Sequence, residues 1–156
     1  MCSMGDETYD VIMGDVIVVG VPLAQEQGEQ AEGVTELMGA AADGDTGRVV
    51  ALLAAPGLDV NAATGNGTTA LMLAAIRGRT ETVRVLLAAP GLDVKAASSA
   101  GWTALVWAAH GGHTEMVTVL LAAPGLDVGA ATAGDITALI IAARRGGRTE
   151  TVTALL

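Results

Sequence analysis

The 156-residue chain has no phenylalanine, and its aromatic residues are two tryptophans and one tyrosine. Large rings usually fill the wide gaps of a globular core. Their scarcity points to thin layers in which small residues let backbones approach closely. Cysteine is almost missing as well. Cys2 stands alone, which excludes an intrachain disulfide and fits an intracellular, cytoplasmic setting. Basic charge is sparse, with eight Lys and Arg against 17 Asp and Glu and a net charge of −9. A chain with no basic stripe is a poor ligand for phosphate backbones, so nucleic acid is set aside as a partner. No long hydrophobic run is present either. The best candidate, residues 11–23, is 13 residues long and contains Asp15. A membrane helix needs about 20 apolar residues, and a secretory signal needs positive charge ahead of its apolar region. Neither a membrane span nor a targeting segment is therefore expected. Proline is limited to four residues, and three of them sit in one repeated peptide.

The acidity is unevenly placed. Residues 1–34 hold Asp6, Glu7, Asp10, Asp15, Glu26, Glu29 and Glu32 and no Lys or Arg, whereas residues 35–156 hold ten acidic and eight basic side chains. Residues 1–10 are polar and acidic. The Val- and Ile-rich run at 11–23 favours extended chain and is expected as a short strand. A lone strand is unstable, so it must dock on the rest of the chain, pair with another chain or stay loose. Residues 24–33 form a Gln/Glu/Gly linker.

What the chain does have is a period. Leu-Leu-Ala-Ala-Pro-Gly-Leu-Asp-Val stands at 52–60, 86–94 and 120–128, a spacing of 34 residues. Such self-similarity decides architecture before any single residue does. Thr-Ala-Leu recurs from Thr69, Thr103 and Thr137, and a double alanine begins at Ala40, Ala74, Ala108 and Ala142. Gly44, Gly78, Gly112 and Gly146 hold the same register. In one unit, Thr69 is placed to N-cap a helix carrying Leu71, Ala74 and Ala75, and Gly78 ends it in the left-handed conformation. Thr80 is expected to cap a second helix, with Glu81 in its first turn and Val83, Leu86 and Leu87 as its buried stripe. Ala89, preceding Pro90, is pushed off helical dihedrals and stops it. Residues 95–102, which include Gly101, form a turn or hairpin. Two helices of about two turns bury little alone, so stability must come from stacking, as in one-dimensional solenoids.

The pattern Gly-x-Thr-Ala-Leu-x-x-Ala-Ala-x-x-Gly-x-Thr-Glu-x-Val-x-x-Leu-Leu, closing with Asp-Val-Asn-Ala at 59–62, resembles the ankyrin repeat over roughly residues 35–156. The resemblance implies an all-α solenoid of helix-turn-helix units joined by hairpin-like loops. Its units are expected near 35–67, 68–101, 102–135 and 136–156, behind an acidic lead at 1–34. The family's unit is usually about 33 residues and opens with Thr-Pro-Leu-His. Here Ala70, Ala104 and Ala138 replace the Pro, and Met72, Val106 and Ile140 replace the His. The first unit, more polar around Glu36, Ala42, Asp43 and Asp45, resembles a capping repeat. The last is one residue longer between its helices and stops at Leu156 in mid-helix. That ending reads as a fragment, or as an apolar end open to self-association.

The resemblance implies a protein-binding module that uses hairpin tips and the groove of the first helices. Positions that change within the constant frame are the candidates. Thr68, Trp102 and Ile136 precede the Thr of each unit. Ile76 and Arg77, His110 and Gly111, and Arg144 and Arg145 follow the double alanines. Asn66, Lys95, Ser98, Ser99 and Asp135 occupy tips. Trp102 is either an interface anchor or packing against the neighbouring hairpin. As an anchor, its replacement by Ala weakens binding and leaves melting nearly unchanged. Trp107, where other copies have Leu73 and Ile141, reads as core. The Arg144, Arg145 and Arg148 cluster is either a solvated turn or a site for acidic chain, the 1–34 lead included. His110 and His113 lack the Cys or carboxylate company of a metal site. No Gly-x-Ser-x-Gly, Walker-type or His-Glu-x-x-His motif occurs. No catalytic residue, cofactor or metal is expected, and the partner is another protein. The alternative is the recognition arm of a larger protein, such as a kinase or ubiquitin ligase.

Overall fold

The computed structural model describes residues 35–145 and 149–156. Residues 1–34, including the expected strand at 11–23, lie outside that set, as do Gly146, Gly147 and Arg148. Among the described residues eight helices follow one another: α1 (Glu36–Asp43), α2 (Thr46–Leu53), α3 (Ala70–Ile76), α4 (Thr80–Leu87), α5 (Ala104–Gly111), α6 (Thr114–Leu121), α7 (Ala138–Arg144) and α8 (Thr149–Leu155). They stack in two layers. In the first, α1, α3, α5 and α7 lie side by side in order, and in the second α2, α4, α6 and α8 do the same.

Each first-layer helix starts on a threonine. Thr35, Thr69, Thr103 and Thr137 have extended backbones. Their hydroxyls accept from the N–H of Met38 at 3.2 Å, Met72 at 3.3 Å, Val106 at 3.2 Å and Ile140 at 3.3 Å. Each such cap stabilises its helix by about 1 kcal/mol, and the role expected for Thr69 is the one found.

Thr80 does not cap its helix. It is the first residue of α4, Arg79 stands at the cap position, and no side chain makes the capping hydrogen bond. His113 occupies the same place before α6. The turn is tight enough that the threonine N–H is already bonded to the glycine two residues back, Thr80 to Gly78 at 3.0 Å and Thr114 to Gly112 at 2.9 Å. At the same register, two hydroxyls, those of Thr46 and Thr114, instead reach the next unit. Thr46 Oγ1 lies 3.3 Å from Thr82 Oγ1, and Thr114 Oγ1 lies 2.6 Å from Thr151 Oγ1. Of α2, α4 and α6, α2 alone has a side-chain cap, Asp45, whose carboxylate accepts from the Arg48 N–H at 3.0 Å.

Gly78 ends the first helix of its unit as expected, with φ +71°. A Cβ there would also lie 2.8 Å from His113 Cε1 of the following unit. Arg79 covers Gly44 in the same way and donates from Nε to the Ala42 carbonyl at 3.1 Å. Arg79 and His113 thus lock each unit onto the turn of the one before it.

The alanines Ala40, Ala41, Ala74, Ala75, Ala108, Ala109 and Ala142 are sealed between the layers. The second-layer stripe differs from the expected one. Val83 and Leu86 are buried, but Leu87 is only half-buried, and Thr82 and Met116 take the remaining inward positions. α4 ends at Leu87, two residues ahead of Ala89, so the chain leaves the helix before the proline demands it.

Residues 63–69, 97–103 and 131–137 are hairpins closed by single antiparallel bridges, Ala63 to Thr69, Ala97 to Thr103 and Ala131 to Thr137. Neighbouring tips are joined. The Ser99 N–H donates to the Asn66 carbonyl at 2.9 Å, and the Ala133 N–H to the Ala100 carbonyl at 2.8 Å. At the far end, beyond α7, apolar side chains are open. Ile140 is 42% exposed where its counterparts Met72 and Val106 are 1% exposed, and Leu156 is 86% exposed.

Candidate partner-binding face

Among the described helices, α3 and α5 have first-layer neighbours on both sides and a second-layer helix behind them. One face stays open, and helical spacing identifies it. On α3, Leu71, Met72, Ala74 and Ala75 are sealed, whereas exposure rises through Leu73, Ile76 and Arg77. These positions, i, i+3 and i+4, share a face. The same register gives Trp107, His110 and Gly111 on α5, and Ile141, Arg144 and Arg145 on and just after α7. On α1 it falls on Gly39, where an added Cβ would meet nothing within 4 Å. The face is therefore open in front of α1 and filled in front of α5.

Trp102 belongs to this face through its ring contacts. Its centroid lies 4.3 Å from that of Trp107 at an interplanar angle of 40°, and the His110 ring stands edge-on at 5.5 Å. His110 is also 6.2 Å from Trp107. Both tryptophans are 7% exposed, so they form a packed aromatic floor. Truncating Trp102 removes packing whether or not a partner is present, and a melting temperature indifferent to Trp102→Ala is not expected. Burial leaves Trp107 Nε1 with no acceptor among the described residues. A buried donor without an acceptor is a rare, costly arrangement.

Two edges bound the face. Hairpin tips run along the edge where the first-layer helices begin. The other edge, where those helices end, is basic, with Arg77, Arg144 and Arg145 all exposed. Cations are favoured there by the negative end of the helix dipole. The remaining described arginines are engaged. Arg48 pairs with Glu36 at 2.9 Å, Arg84 pairs with Glu81 at 3.0 Å and Glu115 at 2.7 Å, and Arg79 holds the Ala42 carbonyl. Arg77, Arg144, Arg145 and Lys95 form no ion pair among the described residues.

The tip candidates divide. Asn66 accepts through Oδ1 from the hydroxyls of Thr64 and Thr68, the latter at 3.0 Å, so Asn66 and Thr68 are tied into their own hairpin. Ser98 Oγ accepts from the N–H groups of Ala100 and Trp102, both at 3.3 Å, and is part of the hairpin frame. Ser99, Lys95 and Asp135 are exposed, and Ile136 is half-buried beside α7. Reasoning from sequence missed the role of the hydroxyls at Thr64, Ser98 and Thr132, each of which accepts from the N–H four residues on. Their signal was a hydroxyl residue at every 34th position.

Asn61 is engaged at both ends of its amide. Nδ2 donates to the Gly91 carbonyl at 2.7 Å, and Oδ1 accepts from the Asp93 N–H at 2.7 Å. It clips one Pro-Gly connection to the next. The aspartates of the repeated peptide act locally, with Asp59, Asp93 and Asp127 each accepting from the N–H two residues on at 3.0 Å. Nowhere among the described residues do three His, Cys, Asp or Glu side chains meet as metal ligands would. No described helix is long and apolar enough to cross a membrane.

A family model described as ankyrin repeats in three copies matches residues 37–132 and again 90–156. No curated protein matches the chain. The two matched spans together cover most of the sequence and contain all the helical pairs described above, from Leu37 in the first helix to Leu156. The threonine-capped first helices, left-handed glycine turns and bridged hairpins carry the same repeat in three dimensions, and the chain belongs to the ankyrin-repeat family.

Proposed function

We propose that the array binds a protein partner across the face of its first-layer helices and the exposed hairpin tips, and does no chemistry of its own. Ankyrin repeats are generally protein–protein interaction modules. One observation carries the finer reading. Ile76, Arg77, Trp102, His110, Ile136, Arg144 and Arg145, which differ from copy to copy, gather on or beside the open first-layer face, while the repeated capping threonines and the double alanines Ala74-Ala75 and Ala108-Ala109 are hydrogen-bonded or buried. A face with an aromatic floor, aliphatic flanks and a cationic edge has the chemistry of a recognition surface.

The test uses two variants of the full chain. Arg77→Glu with Ile136→Asp alters the face at exposed and half-buried positions. Val50→Glu alters the second layer, where Val50 is 51% exposed. Proteins captured from a lysate by the unaltered chain should be lost with the first variant and kept with the second, both retaining the parent's helical circular dichroism. Equal capture by both variants sinks the reading.

A further inference from the structure

The open face and the first 34 residues of the same chain are chemically matched in two respects. The floor is apolar, built from Ile76, Trp102, Trp107 and Ile136, and residues 11–23 are the most apolar stretch outside the repeats. The edge is cationic, with Arg77, Arg144 and Arg145 forming no ion pair among the described residues. Residues 1–34 carry seven carboxylates and no Lys or Arg. A hydrophobic surface with a positive edge selects an acidic, apolar peptide. Such a peptide is present in this chain.

Reach permits the contact. The chain joins the array at Thr35, the cap of α1, on the hairpin edge of the face. Residues 24–34 can span roughly 36–40 Å when extended. α5, with its tryptophans, is two helices along the layer, roughly 16–20 Å away at the usual interaxial spacing. A chain crossing the face from the hairpin edge would bring Asp6, Glu7 and Asp10, which precede the apolar run, toward the arginine edge.

We propose that residues 6–23 occupy the first-layer face of their own array, the apolar run over Trp102 and Trp107 and the preceding carboxylates against Arg77, Arg144 and Arg145. The segment is then a built-in competitor, and an external partner must displace it. This rests on the reading of that face as the recognition surface. It also narrows the partner class to segments that carry carboxylates beside an apolar run.

Cys2 is the only cysteine and accepts a nitroxide label in the full chain without substitution. Paramagnetic broadening is read from amide and indole resonances before and after reduction of the label. The expected result is loss of intensity at the Trp102 and Trp107 indole N–H groups and at the amides of Ile76, Arg77 and Arg144. Intensity should be retained at Val50, Val85 and Val119 in the second layer. The loss should disappear with Val16→Asp and Val18→Asp, and weaken with Arg77→Glu, Arg144→Glu and Arg145→Glu. Broadening that is absent from the face, or equal in both layers, overturns the proposal. So does broadening that appears when labelled chain without isotope is mixed with isotopic chain without label, since the occupant is then a second copy. The capture experiment above separates the two readings. Absent broadening with capture still lost on altering the face removes self-occupancy alone. Face broadening with capture unaffected removes the external partner alone.

Discussion

Asp135 sits at the register of Gly67 and Gly101 and, like them, has a left-handed backbone, with φ +60° against +83° and +82°. The two glycines have a second reason to be glycine. A Cβ on Gly101 would lie 2.9 Å from Thr132 Cα of the next hairpin, and one on Gly67 would lie 3.0 Å from Ser98 Cα. No described hairpin follows Asp135, so its side chain meets no such wall and only the dihedral cost remains. The left-handed region costs a non-glycine residue roughly 1–2 kcal/mol, less for Asp than for most. Asp135→Gly is therefore expected to raise stability by about 0.5 kcal/mol once the entropy of an added glycine is set against it. Gly101→Asp should lower stability by about 2 kcal/mol or more, because overlap with Thr132 adds to the dihedral cost. Urea denaturation of the two variants checks the pair, and a similar shift for both would refute the argument. The contrast was not legible in the sequence, because a glycine chosen for its dihedral and one chosen for close approach look the same until the neighbouring hairpin is in place.

At the scale of the element, the two helix types in each unit are held at their starts by different means. First-layer helices use a threonine hydroxyl, and α4 and α6 use the geometry of a glycine turn with no side-chain cap. Thr103→Ala should lower stability by about 1 kcal/mol through loss of the bond to the Val106 N–H. Thr80→Ala should cost only a few tenths, since no cap is lost and alanine has the better helix propensity. Equal losses in thermal denaturation would show that Thr80 caps after all. Both threonines look alike in sequence, each before a helical pattern. What separates them is the reverse turn at Gly78, which brings Thr80 into the helix one residue early. The frame was otherwise plain from the letters, because the double alanines, Gly78 and the Pro-Gly pair each answer a local steric demand that recurs unchanged. The face was legible only as a list of varying positions. That Trp102 packs at a tilt against Trp107, buried rather than presented, follows from both rings being in one copy, and no periodicity reports it.

The whole molecule is a row in which each unit is held by its neighbours, so position along the row sets local stability. α3 and α5 are covered on both sides by first-layer helices, while α7 has α5 on one side and open apolar surface on the other. The exposure of Ile140, against buried Met72 and Val106, measures what that costs. Burying a side chain of this size fully contributes roughly 1.5–3 kcal/mol, and α7 forgoes part of it. The first end is treated differently. α1 faces outward with Glu36 and Asp43, and Glu36 is tied to Arg48 at 2.9 Å, although an exposed pair of this kind adds at most about 1 kcal/mol. Local opening should therefore begin at the α7–α8 end and spread inward. In hydrogen exchange, the amides of Leu105, Trp107 and Ala109 in α5 and Leu73 and Ala75 in α3 should exchange most slowly. Ile141 and Ala142 in α7 should exchange faster by a factor that denaturant reduces, because opening at the end gives way to unfolding of the whole row. Ile140→Thr, which trims a side chain already 42% exposed, should change the α5 amides little. Ala109→Ser places a hydroxyl in the sealed α5 interface, fully buried between the layers, and should accelerate exchange in α5 and α7 together. Uniform protection across all four first-layer helices would mean the row opens as one unit rather than from its exposed end.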